Sequence, residues 1–320
     1  MPNLRYLTQP CCVQYRKFGK INFMNITRFF RKYGWSYLFI LPSMLTFVIF
    51  TFAPVIWTFI ISFQKYSLVR GGRWMDPLWG NYVTAFTQTN GVFVKAIGNT
   101  LLYSASTVFV NVMLGLILAS LIQPLSHRKR TFFRAAYYLP AVSSALLIGM
   151  TWAYIYNAQW GFANYIFRLL GLTPVRWLSD PDIAMWSIIV STLLTIPATA
   201  VVLYSAAIGS IPTEYYEAAE LDGASPIRKW LTITVPLLKS TTLYLLVVYT
   251  IASFEVFDKI YVMVPSGVAN STQTIVTQIY NSAFKDFDMG VASAQALVLF
   301  VMIAVVAVFQ FRIFRSDVEY

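Results

Sequence analysis

Charged side chains are scarce in this sequence. Asp, Glu, Lys and Arg make up 12% of its 320 residues, against 58% hydrophobic residues. A soluble domain carries about a quarter charged residues, so a water-facing globular chain is excluded and a membrane protein is indicated. Histidine occurs once, as His127 in a basic loop. A metal centre or a Ser-His-Asp triad needs a partner set that this lone residue lacks. No catalytic residue and no metal ligand is therefore assigned. Cysteine occurs only as the adjacent Cys11 and Cys12, which excludes a disulfide framework and leaves two free thiols in a basic leader. A Gly-x-x-x-x-Gly-Lys-Ser/Thr run is also missing: Gly19-Lys20 has neither the preceding Gly nor the following hydroxyl. The backbone nest that usually cradles ATP is thus not encoded in this chain.

Negative charge is the scarcer sign, with 13 acidic against 24 basic residues and a net charge of +11. The basic residues do not form a patch suited to nucleic acid. They stand at the ends of long apolar runs, which is the pattern of a membrane topology signal. Residues 1–34 carry Arg5, Arg16, Lys17, Lys20, Arg28, Arg31 and Lys32 and no acid. No charge follows from Tyr33 to Gln64. That run exceeds the ~7–15-residue core of a cleaved signal peptide and the ~20 residues that cross a ~30 Å hydrocarbon layer. Residues 35–63 therefore read as an uncleaved first span, with Pro42 and Pro54 kinking it or marking its ends. Further spans read at about 97–121, 133–156, 185–208, 238–262 and 290–312, the fourth interrupted by Pro197.

The sign of the loops orients these spans. Arg128, Lys129, Arg130 and Arg134 mark residues 122–132 as internal, whereas 64–95, 157–184 and 263–287 fall outside by alternation. The fold class expected is all-α: a polytopic membrane protein with six transmembrane helices and both termini cytoplasmic. Segment 1–34 is then a basic cytoplasmic segment, 35–315 the transmembrane domain and 316–320 a cytoplasmic tail. Loop 210–236 also falls inside, although Glu214, Glu217, Glu220 and Asp222 outnumber Arg228 and Lys229. Acidic residues weigh little in topology, and this acidic face suggests a basic partner.

That loop has helical structure of its own. Pro212 suits a first helical position, and Glu214 and Glu217 suit the positive end of a helix. Asp222-Gly223 supplies a left-handed cap, Ser225-Pro226 restarts a helix, and Pro236 ends it. Ala218 and Ala219 are small enough for another surface to approach closely. Glu217-Ala218-Ala219, then Gly223, then Ile233 and Pro236, closely resemble the coupling motif of ABC-importer permease subunits, with Val235 in place of a Leu. Two further stretches are similar to permeases of the carbohydrate-uptake type, as in maltose or glycerol-phosphate import. They are Arg130 to Asn164, and Ser253 to Met263 with its continuation from Ser271 to Phe300. Gly80-Asn81-Tyr82 at the entry to the second span extends the likeness over most of 35–315. A Thr-x-Gly-Gly-Pro turn common in that family is replaced by Val264-Pro265-Ser266-Gly267-Val268.

The resemblance implies a permease subunit of an ATP-driven sugar importer in the bacterial cytoplasmic (inner) membrane, working by alternating access. It implies a second homologous permease, two separate ATPase subunits that use ATP-Mg, and an extracellular or periplasmic solute-binding protein. This chain itself then binds no cofactor and is no enzyme. Glu217, Ala218, Ala219, Asp222, Gly223, Ala224, Ile233 and Pro236 are the expected ATPase-coupling residues. Polar groups within the spans are candidates for a substrate pathway: Thr192 and Thr195 on the fourth, Tyr249, Ser253, Glu255 and Asp258 on the fifth. Glu255 stands 16 residues beyond Lys239, about 24 Å of helix, toward the outer half. Glu255 and Lys259 have the i, i+4 spacing of a helical ion pair, so a self-paired interfacial cluster competes with a pathway role. Permeases for an amino acid or a phosphate ester are the nearest alternatives, and an ion-coupled secondary transporter or a membrane enzyme the more distant ones.

Overall fold

The computed structural model describes residues 26–67, 71–87, 91–264, 268 and 270–314. Cys11, Cys12, most of the basic leader, Arg315 and the 316–320 tail lie outside them. The chain divides after Ile56 into two compact units. In the first, α1 (Ile26–Phe47) contains Pro42 and is followed by a π-helical turn at Val48–Phe52. Pro42 lies inside this helix, and Thr46 Oγ1 donates to the Pro42 and Ser43 carbonyls at 3.1 and 2.8 Å. Helix α2 (Ala53–Ile61) begins beside Pro54. Side chains from Trp35 to Ile56 are exposed throughout, and such an apolar surface suits hydrocarbon as solvent.

The second unit starts at Trp57 within α2, which is followed by a β-hairpin, β1 (Gln64–Ser67) and β2 (Gly71–Trp74), antiparallel with Gln64 opposite Trp74. The sequence predicts a loop over 64–95, and the hairpin is the difference. The buried Asn81, on α3 (Gly80–Thr87), fastens it by donating from Nδ2 to the Ser62 and Gln64 carbonyls, each at 2.8 Å. The elements that follow are α4 (Val92–Ile122), α5 (His127–Tyr138), α6 (Ala145–Ile155), α7 (Phe162–Leu169), α8 (Ala184–Leu193) and α9 (Ala198–Gly209). Then come α10 (Thr213–Leu221), α11 (Pro226–Lys229), α12 (Val235–Leu237), α13 (Lys239–Phe254), α14 (Asp258–Met263), α15 (Ile275–Tyr280) and α16 (Met289–Phe314).

Four helical segments among the described residues are long and apolar enough to cross a membrane: Trp35–Ile61, Val92–Ile122, Ala184–Gly209 and Met289–Phe314. Two bent pairs raise the number to six if each counts as one crossing. The expected third span is such a pair, α5 and α6 meeting at 89°. Pro140 supplies no N–H, and Ser143 and Ser144 are extended (ψ 145° and 140°), so the backbone leaves the helix there. The expected fifth span is broken twice. A 67° bend at Leu238 separates α12 from α13, and residues 255–257 separate α13 from α14. The Pro197 interruption is seen as expected, α8 ending at Leu193 and α9 starting at Ala198.

Helix α4 is the axis of this unit. Val112, Leu116 and Ala119 pack against Ala200, Tyr204 and Ile208 of α9 and Leu245 of α13. Gly115 faces Ala200 so closely that a Cβ on Gly115 would overlap the Ala200 methyl. In lipid, burying apolar surface between helices gains little, so this close approach of small residues and the interhelical hydrogen bonds carry the association. Tyr204, fully buried, donates to Thr242 Oγ1 at 2.9 Å.

Candidate functional site

The segment 212–236 is a helical hairpin fixed mainly by its own backbone. Pro212 is the N-cap and Thr213 the first helical residue, one position later than the sequence suggests. Glu214 sits in the first turn of α10, where its charge is favoured. At the other end Gly223 is left-handed (φ 72°). Its N–H reaches the Glu220 carbonyl at 3.0 Å, and the Ala224 N–H reaches Ala219 at 2.9 Å. This is the Schellman arrangement, which satisfies two orphan carbonyls and requires a residue tolerant of positive φ. Ser225 then caps α11, its Oγ accepting from the Arg228 N–H at 3.3 Å, with Pro226 at the first position. The chain continues through a π-helical turn, Trp230–Thr234, into α12, which contains Pro236.

Side chains tie the two arms together and to the bundle. Lys229 Nζ lies 2.6 Å from Glu220 Oε1. Tyr216 and Thr234 share a hydrogen bond of 2.9 Å. Trp230 Nε1 donates to Ser120 Oγ on α4 at 2.8 Å. Arg134 on α5 grips α9 through Ser205, Nε to Oγ at 2.7 Å and Nη2 to the carbonyl at 3.1 Å. Arg130 caps the end of α4 by donating to the Gln123 and Leu125 carbonyls. A cavity of about 600 Å³ lies between hairpin and bundle, lined by Ser120, Gln123, Arg130, Tyr216, Lys229 and Trp230 among others.

The outward face of the hairpin is open. Glu217, Ala218, Asp222, Gly223 and Pro236 are exposed, and Ala219, Ala224 and Ile233 half-buried. Beside Glu217 stand large apolar side chains in the open: Leu221 at 90% exposure and Ile227 at 72%, with Tyr215 and Leu231 near half. A carboxylate amid bare apolar surface, on a backbone held rigid by caps, has the chemistry of a docking surface.

The candidate pathway residues lie elsewhere, and only some bond to another helix. Thr192 on α8 donates to the Ile188 carbonyl at 3.0 Å and receives Lys259 Nζ at 2.9 Å and the Tyr103 hydroxyl at 3.1 Å. Ser253 on α13 shares a 2.6 Å hydrogen bond with Ser104 on α4. Tyr249 Oη accepts from the Ala200 N–H at 3.3 Å, a donor in the first turn of α9 left without an intrahelical partner by the Pro197 break. Thr195 turns back on its own helix, to the Ser191 carbonyl at 2.8 Å. Glu255 and Asp258 are exposed and do not join this group. The expected Glu255–Lys259 pair does not form: the ion pair among the described residues is Lys229–Glu220. Glu255 is the C-cap of α13 while Lys259 belongs to α14, and i, i+4 neighbours meet only on a continuous helix.

Tyr103 and Ser104 on α4 complete the contacts of Thr192 and Ser253. Their only sequence signal is a polar pair within an uncharged run, which does not say which helix they face. Of the atypical turn after Met263, residues 265–267 lie outside the described residues. Among the described residues no cluster of His, Cys, Asp or Glu is placed to hold a metal ion.

Comparison with known proteins bears on the whole of this geometry. A family model described as "Binding-protein-dependent transport system inner membrane component" matches residues 111–319. The chain is 32% identical over 286 residues to the probable ABC transporter permease protein YurN of Bacillus subtilis (strain 168), covering 88% of this chain and 97% of that one. It is 29% identical over 290 residues to the arabinooligosaccharides transport system permease protein AraP of the same strain, covering 90% and 91%. Its fold is similar, with a TM-score of 0.81 at 24% identity, to a chain in the crystal structure of a bacterial ABC transporter involved in the import of the acidic polysaccharide alginate, covering 92% of this chain and 99% of that one.

Proposed function

The chain belongs to the family of binding-protein-dependent transport system inner membrane components, and from this premise we propose that it is the transmembrane permease subunit of an ATP-driven importer for a sugar or sugar-like solute. The observation that carries the mechanism is the exposed, doubly capped hairpin 212–236 with Glu217 at its centre. It is the coupling element: Glu217, Ala218, Ala219, Asp222, Gly223, Ala224, Ile233 and Pro236 form or support the surface that docks on a separate ATPase. Closure of two ATP-loaded ATPase subunits displaces the hairpin. This chain and a second, homologous permease then rock between outward- and inward-open states.

In this reading the transmembrane domain, 35–315, crosses the inner membrane six times, each bent helix pair counting as one crossing. The 1–34 segment, the 316–320 tail and the hairpin all face the cytoplasm, the hairpin joining spans four and five. ATP-Mg belongs to the partner subunits, and a solute-binding protein delivers substrate from outside. Sugar is the substrate class because the relatives include an arabinooligosaccharide permease over nearly the whole chain. Thr192, Thr195, Tyr249, Ser253, Glu255 and Asp258 are the pathway candidates. Thr192, Tyr249 and Ser253 each hydrogen-bond to another helix, which supports those three best.

Reconstitution in proteoliposomes tests the reading. Uptake of a labelled oligosaccharide should require this chain, the second permease, the ATPase, ATP and the binding protein together. Vanadate-sensitive ATP hydrolysis by this chain alone would overturn it.

A further inference from the structure

Lys259 is a half-buried cation within the helical bundle. Two carboxylates stand on its own segment, Glu255 and Asp258, both exposed. The ammonium group turns away from them. It reaches across to α8 and donates to Thr192 Oγ1 at 2.9 Å. Thr192 has no further capacity for it: its hydrogen is given to the Ile188 carbonyl, and its other lone pair takes the Tyr103 hydroxyl, which is itself buried. An ammonium group carries three N–H donors. Among the described residues Lys259 has one acceptor and no ion-pair partner, so two of its donors are met by no protein acceptor. An ammonium withdrawn from water without an opposing charge is costly and marks a functional position in a membrane protein.

Its surroundings fix its direction. Ile260 and Met263, on the same short helix, pack with Ile188, Ile189 and Tyr103, and the Lys259 backbone lies over Gly149 of α6. The charge is thus held by α14 against the face of α8 that carries Thr192.

We propose that Lys259 is a specificity-determining residue that engages an anionic group, a carboxylate or a phosphate, on the transported solute. Resting on the sugar-importer reading, this assigns the substrate to the acidic sugars. Thr192 and Tyr103 are positioning residues that aim the ammonium group. The bound anion supplies the missing counter-charge and takes the two spare N–H donors, whereas a neutral sugar offers them only hydroxyl oxygens and no counter-charge.

The test uses the complete transporter in proteoliposomes with its own binding protein and three probes: a galacturonate trisaccharide, the matching neutral galactose trisaccharide, and a hexose phosphate. Wild-type protein should take up one of the two anionic probes in preference to the neutral one, and which one it prefers distinguishes carboxylate from phosphate. Lys259→Gln should lower the anionic-to-neutral uptake ratio by about tenfold or more, the scale of one charged hydrogen bond. The change should appear in KM more than in kcat, and Lys259→Arg should restore the preference. Co-purification of each variant with the ATPase subunit controls for folding. Equal loss of all three probes in Lys259→Gln, with assembly intact, would overturn the assignment, as would wild-type uptake confined to the neutral sugar. Failure of the wild-type assembly to take up either anionic probe would also overturn this assignment, and the sugar reading itself fails only if the labelled oligosaccharide of the uptake test above is refused as well.

Discussion

The hairpin at 212–236 and the hydroxyl layer around Thr192 are both built from hydrogen bonds, but the bonds span different stretches of chain. In the hairpin they join residues close in sequence: Ala224 to Ala219, Arg228 to Ser225, Lys229 to Glu220, Tyr216 to Thr234. In the layer they join Tyr103 to Thr192, Thr192 to Lys259, and Ser104 to Ser253, across separations of 89, 67 and 149 residues. The first region is a local device that keeps its shape while presenting a surface. The second exists only while three or four helices are packed, and it changes whenever they shift. In the proposed mechanism the first serves as a rigid handle and the second as a set of contacts that helix packing can remake.

Four substitutions probe this contrast, in descending size of effect. Gly115→Leu drives a branched side chain into Ala200 at the α4–α9 contact. It should cost roughly 3 kcal/mol or more and separate the helices on which the layer depends, read as a lowered midpoint of thermal unfolding in detergent. Tyr249→Phe removes the acceptor of the Ala200 N–H and leaves a buried donor unmet, at about 1–3 kcal/mol. Faster hydrogen exchange at that amide should report it, with the hairpin amides unchanged. Gly223→Ala forces a Cβ into a left-handed position, about 1–2 kcal/mol. Exchange should rise at the Gly223 and Ala224 amides and nowhere in the layer. Glu220→Gln breaks the Lys229 ion pair, whose carboxylate is 66% exposed. Screening holds that loss below ~1 kcal/mol, and the loss should shrink with added salt.

The same contrast explains what could be read in advance. Asp222-Gly223 and Ser225-Pro226 announce a cap and a restart because the groups that satisfy each other are three to five residues apart. Pro197 likewise announces a break through its own missing N–H. Long-range features carry no such mark. The spacing of Glu255 and Lys259 predicts an ion pair only if one helix runs through both, and the backbone leaves the helix at 255–257. Ser143 and Ser144 let α6 turn from α5 by 89° because they are extended, a conformation Ser adopts as readily as helix. The β1–β2 hairpin depends on Asn81, which reaches back to Ser62 and Gln64. Asn164 does the same for the 158–177 segment, donating to the Ala158 and Val175 carbonyls and accepting from Trp177 Nε1. Composition suffices to place the chain in a membrane. Which polar residue meets which is decided by helix packing.

In the proposed mechanism the 212–236 hairpin transmits ATPase motion, and substitution of Glu217 tests this most directly. A charge-assisted contact with a basic residue of the ATPase, broken from one side, costs about 3–5 kcal/mol. The measurement is ATP turnover of the reconstituted transporter with and without substrate-loaded binding protein, comparing Glu217→Lys with wild type at equal membrane insertion. Binding-protein docking, on the opposite face, should persist, while stimulation of ATP turnover and solute uptake should fall to background. Stimulation and uptake at wild-type rates in Glu217→Lys would show that the hairpin is only a connector and would contradict the account.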